Sequence, residues 1–175
     1  YGFNKYVIVV PSIAIFQGVK KSWEITQNHF KTIYGNDYCA LRAYDSGRIQ
    51  DVKTFATAKN IEILLITMAA FNSVSNNLYK PTDKLPGELL PYEYIQQTRP
   101  IVILDEPNAS LDSEGEQALA NSIKQAKINN QTVLVITHRK GLLQSVDTVV
   151  VIGNGLIVAA GKMEDVVRTM SEKQG

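Results

Sequence analysis

Asp105 and Glu106 stand side by side at the end of an apolar run, Pro100-Ile-Val-Ile-Leu-Asp-Glu-Pro107. Two adjacent carboxylates at such a place can divide labour. One holds a hard divalent cation, directly or through water, while the other takes a proton from an attacking water. The same pair is also compatible with a solvated strand end or an acidic helix start, so its surroundings have to decide. His138 closes a second run of the same type, Gln131-Thr-Val-Leu-Val-Ile-Thr-His-Arg139. Short apolar runs rich in β-branched residues and bounded by turn signals are the pattern of strands buried in a parallel sheet. The stretch between the runs has amphipathic helical spacing, which makes a βαβ unit with a right-handed crossover. Asp105, Glu106 and His138 are then expected at one edge of the sheet, beyond the carboxyl ends of the strands, where open α/β sheets bind ligands.

From about residue 101 to 175 the chain resembles the C-terminal part of the nucleotide-binding domain of ABC transporters, above all type I secretion exporters. The matching elements are Ile-Leu-Asp105-Glu106-Pro (the Walker B strand), Asn108-Ala-Ser-Leu-Asp112-Ser-Glu-Gly-Glu116 (the D-loop and helix start), Ile-Thr-His138-Arg139 (the switch histidine) and Val151-Ile-Gly-Asn-Gly-Leu-Ile-Val-Ala-Ala-Gly-Lys162. This resemblance implies that Asp105 orders Mg²⁺ and Glu106 polarises the attacking water. It also implies that Asp112 acts across a dimer interface and that His138 contacts the terminal phosphate of ATP.

Residues 1–107 resemble instead the helicase core of the Res subunit of type III restriction enzymes. Val9-Val-Pro11-Ser12 and Ile66-Thr67-Met-Ala-Ala-Phe71-Asn72 match early helicase motifs, and Thr98-Arg-Pro-Ile-Val-Ile-Leu-Asp-Glu-Pro107 matches the Asp-Glu-x-x box. The chain thus reads as a chimera, helicase-like over 1–107 and exporter-like over 101–175, joined within a shared strand and folded as one α/β domain. Both parents lose parts. Before Ile101 stands Pro91-Tyr-Glu-Tyr-Ile-Gln-Gln-Thr-Arg-Pro100, with no glycine pair of the exporter signature helix. No Gly-x-x-x-x-Gly-Lys-Ser/Thr loop occurs; Gly161-Lys162-Met163 lacks the hydroxyl that would meet Mg²⁺. The sequence opens at Tyr1 and reads as an internal fragment. The implied cofactors are ATP and Mg²⁺, bound weakly or not at all without the phosphate loop. The implied partners are DNA through the helicase resemblance, and an exporter membrane domain or a second copy through the other.

Composition bounds the rest. The chain has 175 residues, 45% hydrophobic and 20% charged, enough for one core. Its net charge of +1 offers no electrostatic footprint for nucleic acid, and the Lys20-Lys21 and Arg139-Lys140 pairs read as solvated surface. The single Cys39 reads as a buried strand thiol suited to a reducing cytoplasm. No apolar run approaches the roughly 18 residues that span a bilayer.

Strands are expected near 6–10, 38–43, 61–67, 101–104, 132–136 and 148–152. Asn154-Gly155 signals a hairpin into Leu156–Ala160, and a last helix is expected from Met163 to about Glu172. Residues 72–100, broken by Pro81, Pro86-Gly87 and Pro91, read as a long surface loop. The whole is a three-layer, P-loop NTPase-like α/β domain with a mainly parallel sheet and no Walker A loop. Three functions stay open: an ATPase fragment with an incomplete site, a catalytically silent α/β module, and an interaction protein that keeps the dimer surface around Ala109 to Asp112.

Overall fold

Alternation along the strands builds the sheet. The computed structural model describes residues 2–35, 39–71, 75–85, 89–109 and 111–172. Tyr38, Asn72, the Pro86-Gly87 pair and Ser110 lie outside the described residues. Five strands, β1 (Lys5–Val10), β2 (Cys39–Ala43), β3 (Ile61–Thr67), β4 (Ile101–Asp105) and β5 (Val133–Ile136), form one parallel sheet in the order β2-β3-β1-β4-β5. Val7 pairs with Leu64 and Val102, Val9 with Ile66 and Leu104, and Val102 and Leu104 with Val133 and Val135. Because successive residues point to opposite faces, these side chains share one face. Helices α2 (Gln50–Thr57), α3 (Pro91–Gln97) and α4 (Ser113–Ile128) cover it. Val52 and Phe55 of α2, Ile95 of α3, and Leu119 and Ile123 of α4 supply the contacts. Each fully buried aliphatic or aromatic side chain there contributes about 1.5–3 kcal/mol.

Helix α1 (Ile13–Tyr34) lies on the other face, against β1 and β3, and completes three layers. Pro11 ends β1, Ser12 Oγ accepts the Ile15 N–H at 3.3 Å as the helix cap, and Gly35, at φ 89°, closes the helix with its N–H on the Lys31 carbonyl. The antiparallel hairpin β6 (Val149–Gly153) and β7 (Leu156–Gly161) turns at Asn154 and Gly155, both at positive φ, and α5 (Met163–Glu172) packs on it through Val166. The α/β class with a mainly parallel sheet is as expected.

Two expectations are corrected. The stretch 72–100 is more than a surface loop. It contains α3 and a short turn of helix at Asn77–Tyr79, and Leu78, Leu85 and Ile95 are buried in the core. The prolines that suggested a loop set boundaries: Pro91 occupies the first turn of α3, where its missing N–H costs nothing, and Glu93 accepts the Leu90 N–H at 2.6 Å. The second correction concerns β5, which is an edge strand and not one buried on both faces. Leu134 and Ile136 remain 52% and 54% exposed, because α1 lies over β1 and β3 and leaves the face at β5 uncovered.

Candidate active site at the carboxyl edge of the sheet

β4 and β5 end side by side, with Asp105 paired to Ile136. The Glu106 N–H extends the ladder onto the Ile136 carbonyl at 2.9 Å, and the chain then turns sharply, with Glu106 at φ 43°. A left-handed backbone on a long side chain is held only where surrounding bonds over-determine it. The turn aims the Glu106 carboxylate across to the next strand's loop, where its Oε1 lies 2.9 Å from His138 Nδ1. An ionised carboxylate only accepts, so the imidazole donates from Nδ1 and leaves Nε2 as its free acceptor. Glu106 Oε2 is buried and has no hydrogen-bond partner among the described residues. Asp105, one residue earlier, alternates onto the face of Ile101 and Ile103, and its carboxylate makes no hydrogen bond or ion pair within the described residues.

The structure therefore brings Glu106 and His138 into direct contact at the carboxyl edge, with Asp105 adjacent in the chain. Asp112 is placed apart from them. It caps α4, its Oδ1 accepting the Gly115 N–H at 2.8 Å. Among the described residues no group of three or more His, Cys, Asp and Glu surrounds a metal position. Asp105 alone fits a cation that keeps most of its waters or takes its other oxygens from a phosphate, which suits the coordination habit of Mg²⁺. The site is an open shelf, with the His138 side chain 78% exposed. Neither the cavity of about 380 Å³ beside Lys5 and Tyr94 nor that of about 300 Å³ beside Tyr44 and Asn76 is lined by Glu106 or His138.

Four further residues surround this pair, and sequence reasoning missed their arrangement. Asn108 is fully buried. Its Nδ2 donates to Glu116 Oε1 at 3.1 Å and its Oδ1 accepts from Thr137 Oγ1 at 3.1 Å. The Arg139 N–H donates to Thr137 Oγ1, and its guanidinium donates to Glu116 Oε1 at 2.9 Å and to the Ala109 carbonyl at 3.3 Å. Arg139 is thus not merely solvated surface. Its hydrogen bond, followed by that of Asn108, holds the Glu116 carboxyl below the usual range. The one sequence signal was a run of polar residues flanking each strand end, which gives no pairing by itself. Cys39 opens β2 half-buried. Burial, reinforced by the charge of Glu62, pushes its thiol up to about 11, so it is protonated at neutral pH.

No family model matches the chain. Two kinds of curated protein do. Over 66 residues, 38% of this chain and 11% of the relative, it is 44% identical to the type I secretion system ATP-binding protein PrsD of Rhizobium meliloti. It is 31% identical over 136 residues to the ATP-dependent lipid A-core flippase of Saccharophagus degradans, covering 75% of this chain and 23% of that protein. It is 33% identical over 126 residues to the Res subunit of the type III restriction-modification enzyme StyLTI of Salmonella typhimurium, covering 62% and 13%. The homologues therefore include ABC transporter ATP-binding proteins and a type III restriction subunit. The chain spans only a tenth to a quarter of their lengths. The last two matches, at 75% and 62% of the chain, must share more than a third of it, a wider overlap than residues 101–107. A partial likeness to a solved SMC ATPase, described as a study of ATP-driven dimerization and DNA stimulated activation, has a TM-score of 0.35 at 22% identity, over 49% of this chain and 56% of that one.

Proposed function

We propose that this chain is part of an ATP-binding and ATP-hydrolysing P-loop-type NTPase, with helicase-like motifs before β4, exporter-like motifs after it, and β4 within the part that both likenesses share. The observation that carries the reading is the contact of Glu106 with His138. Two residues 32 apart in sequence, each just beyond the end of its own parallel strand, meet at 2.9 Å on the ligand-binding edge. In this reading Asp105 holds Mg²⁺ and Glu106 orients and deprotonates the attacking water. His138 donates to Glu106 through Nδ1 and turns Nε2, once protonated, toward the terminal phosphate. ATP would bring that phosphate, and Mg²⁺ held by Asp105 would supply charge neutralisation there. Asp112, at the head of α4, faces a second copy, a membrane-domain partner follows from the exporter resemblance, and DNA would be met by the helicase-like segment.

Positioning supplies most of the catalysis in phosphoryl transfer. The sequence contains no Gly-x-x-x-x-Gly-Lys-Ser/Thr loop to supply it. Each lost hydrogen bond to a charged oxygen costs roughly 1.5–3 kcal/mol. The chain alone is therefore expected to release phosphate from millimolar MgATP no faster than its Glu106→Gln variant, while His138 resonances shift on MgATP addition. Turnover that disappears in the variant would mean that another loop, such as the Pro11-Ser12 turn, cradles phosphate. Shifts confined to residues away from Glu106 and His138 would overturn the site.

A second reading is favoured by one detail: Glu106 Oε1 and His138 Nδ1 are already bonded directly to each other, leaving no gap between those atoms for a bridging phosphate. That is the geometry of a silent or dimerising module, and it predicts no His138 response to MgATP at all.

A further inference from the structure

Thr137, His138 and Arg139 are consecutive, and the two that flank the histidine are tied into one closed ring of hydrogen bonds. Thr137 Oγ1 donates to Asn108, Asn108 donates to Glu116, Arg139 donates to Glu116 through its side chain, and the Arg139 N–H returns to Thr137 Oγ1. A fifth bond, from Arg139 to the Ala109 carbonyl, anchors the ring to the loop that follows Glu106. The ring thus joins the β4 loop, the first turn of α4 and the β5 loop. The amide orientation of Asn108 is settled by its neighbours, since the reverse would set its oxygen against the Glu116 carboxylate. Asn108 is 0% exposed, so its own side-chain amide is held away from water, where a lost partner leaves a costly orphan, while the Arg139 side of the ring meets solvent.

His138 itself touches none of this. Its side chain is 78% exposed and its hydrogen bond goes to Glu106. An imidazole so open to water would leave Glu106 readily if its backbone could drift, because water competes for a solvent-facing pair of this kind. What keeps Nδ1 within reach of Glu106 is the pinned backbone on either side.

We infer that Asn108 is a positioning residue, which through the ring with Thr137, Glu116 and Arg139 fixes the distance and the Nδ1–H tautomer of His138 against Glu106. Its value for function rests on the nucleotide reading above, because a histidine locked with Nδ1 on a carboxylate presents Nε2 to a phosphate in one direction only.

The test is a proton–nitrogen correlation spectrum of the chain labelled at histidine, at about pH 8.5, well above the ordinary imidazole range. His29, on the surface of α1, is the only other histidine and serves as the internal reference. In the wild type His138 is expected to show the Nδ1–H pattern. In Asn108→Asp, which keeps the acceptor for Thr137 but sets a second carboxylate against Glu116, the population is expected to fall to the Nε2–H form, with His29 unchanged. Adding Glu116→Gln restores a donor on the opposite side of that bond, since the Gln amide donates to the introduced carboxylate and its oxygen accepts from Arg139. The double variant should regain the Nδ1–H pattern.

An unchanged His138 pattern in folded Asn108→Asp, or a folded double variant without recovery, overturns the assignment. If Asn108→Asp does not fold, Arg139→Lys at its exposed position decides by the same criterion, because Lys cannot reach Glu116 and Ala109 together. Titrating MgATP into the wild-type chain at about pH 6, where an imidazole ordinarily takes the second proton that a phosphate contact through Nε2 needs, separates the two readings. A silent His138 there removes the nucleotide role and leaves the ring, whereas an unchanged tautomer in the variants removes the ring and leaves the nucleotide role.

Discussion

Glu106 carries an unusual burden for one residue. It ends the β4 ladder, adopts φ 43°, and presents one carboxylate oxygen to His138 while burying the other without a partner among the described residues. Asn130, Asn154 and Arg99 also have positive φ, and of these types asparagine tolerates that region better than arginine or glutamate. Left-handed backbone on such a residue costs about 1 kcal/mol or more, and the exposed bond to His138 returns less than that. Glu106→Gly is therefore expected to be as stable as the wild type or up to about 1 kcal/mol more stable in urea denaturation. A loss of more than about 1 kcal/mol would show that Glu106 is structural and that its strain has no functional meaning.

At the scale of elements, what matters is which apolar run ends up covered. Phe55 of α2 is 0% exposed, wedged among Val7, Val9, Leu64 and Ile66. Phe55→Ala should cost about 3–5 kcal/mol, from lost transfer free energy and the cavity left behind. Leu134 of β5 belongs to a run of equal apolarity yet is 52% exposed. Its replacement by Ala should cost less than about 1 kcal/mol. Thermal denaturation of the two variants in parallel decides the point, and equal losses would mean that the face of β5 is covered. The amino edge of the sheet obeys the opposite logic. There Lys5 donates to the Ala58 and Asn60 carbonyls, and the partly exposed Arg42 binds Glu62 in two-point fashion, so that both buried charges, Lys5 and Glu62, have hydrogen-bond partners.

For the whole molecule, the exposed apolar residues gather on a few surfaces: Leu134 and Ile136 on the edge strand, Ile152, Leu156 and Ile157 on the hairpin, and Ile13, Ile25 and Ile33 along α1. A hydrophobic edge strand without charges or prolines is a template for pairing with another chain. Sedimentation velocity at rising concentration should show reversible or progressive self-association, and Leu134→Lys with Ile136→Lys should reduce it without lowering the melting temperature. Concentration-independent sedimentation of the wild type would refute this. None of the described helices is long and apolar enough to cross a membrane, so these residues are not spans.

Composition, period and turn chemistry were legible along the chain because they act locally. β-Branched runs specified the strands, the stretch from Asp112 a helix start, and Asn154-Gly155 the hairpin, each by the conformations available to a few neighbouring residues. Asp105, Glu106 and His138 could be picked out for the same reason, since they close strands of a parallel sheet whose carboxyl edge binds ligands. The loop expectation for 72–100 failed because Leu78, Leu85 and Ile95 are buried by elements far away in sequence, which no local breaker reveals. Only the tertiary structure could decide that β5 is an edge, that Glu106 and His138 touch, and that Asn108, Thr137, Glu116 and Arg139 close a ring. Each depends on residues 8 to 32 positions apart being placed within hydrogen-bonding distance, and sequence spacing carries no record of which strands become neighbours.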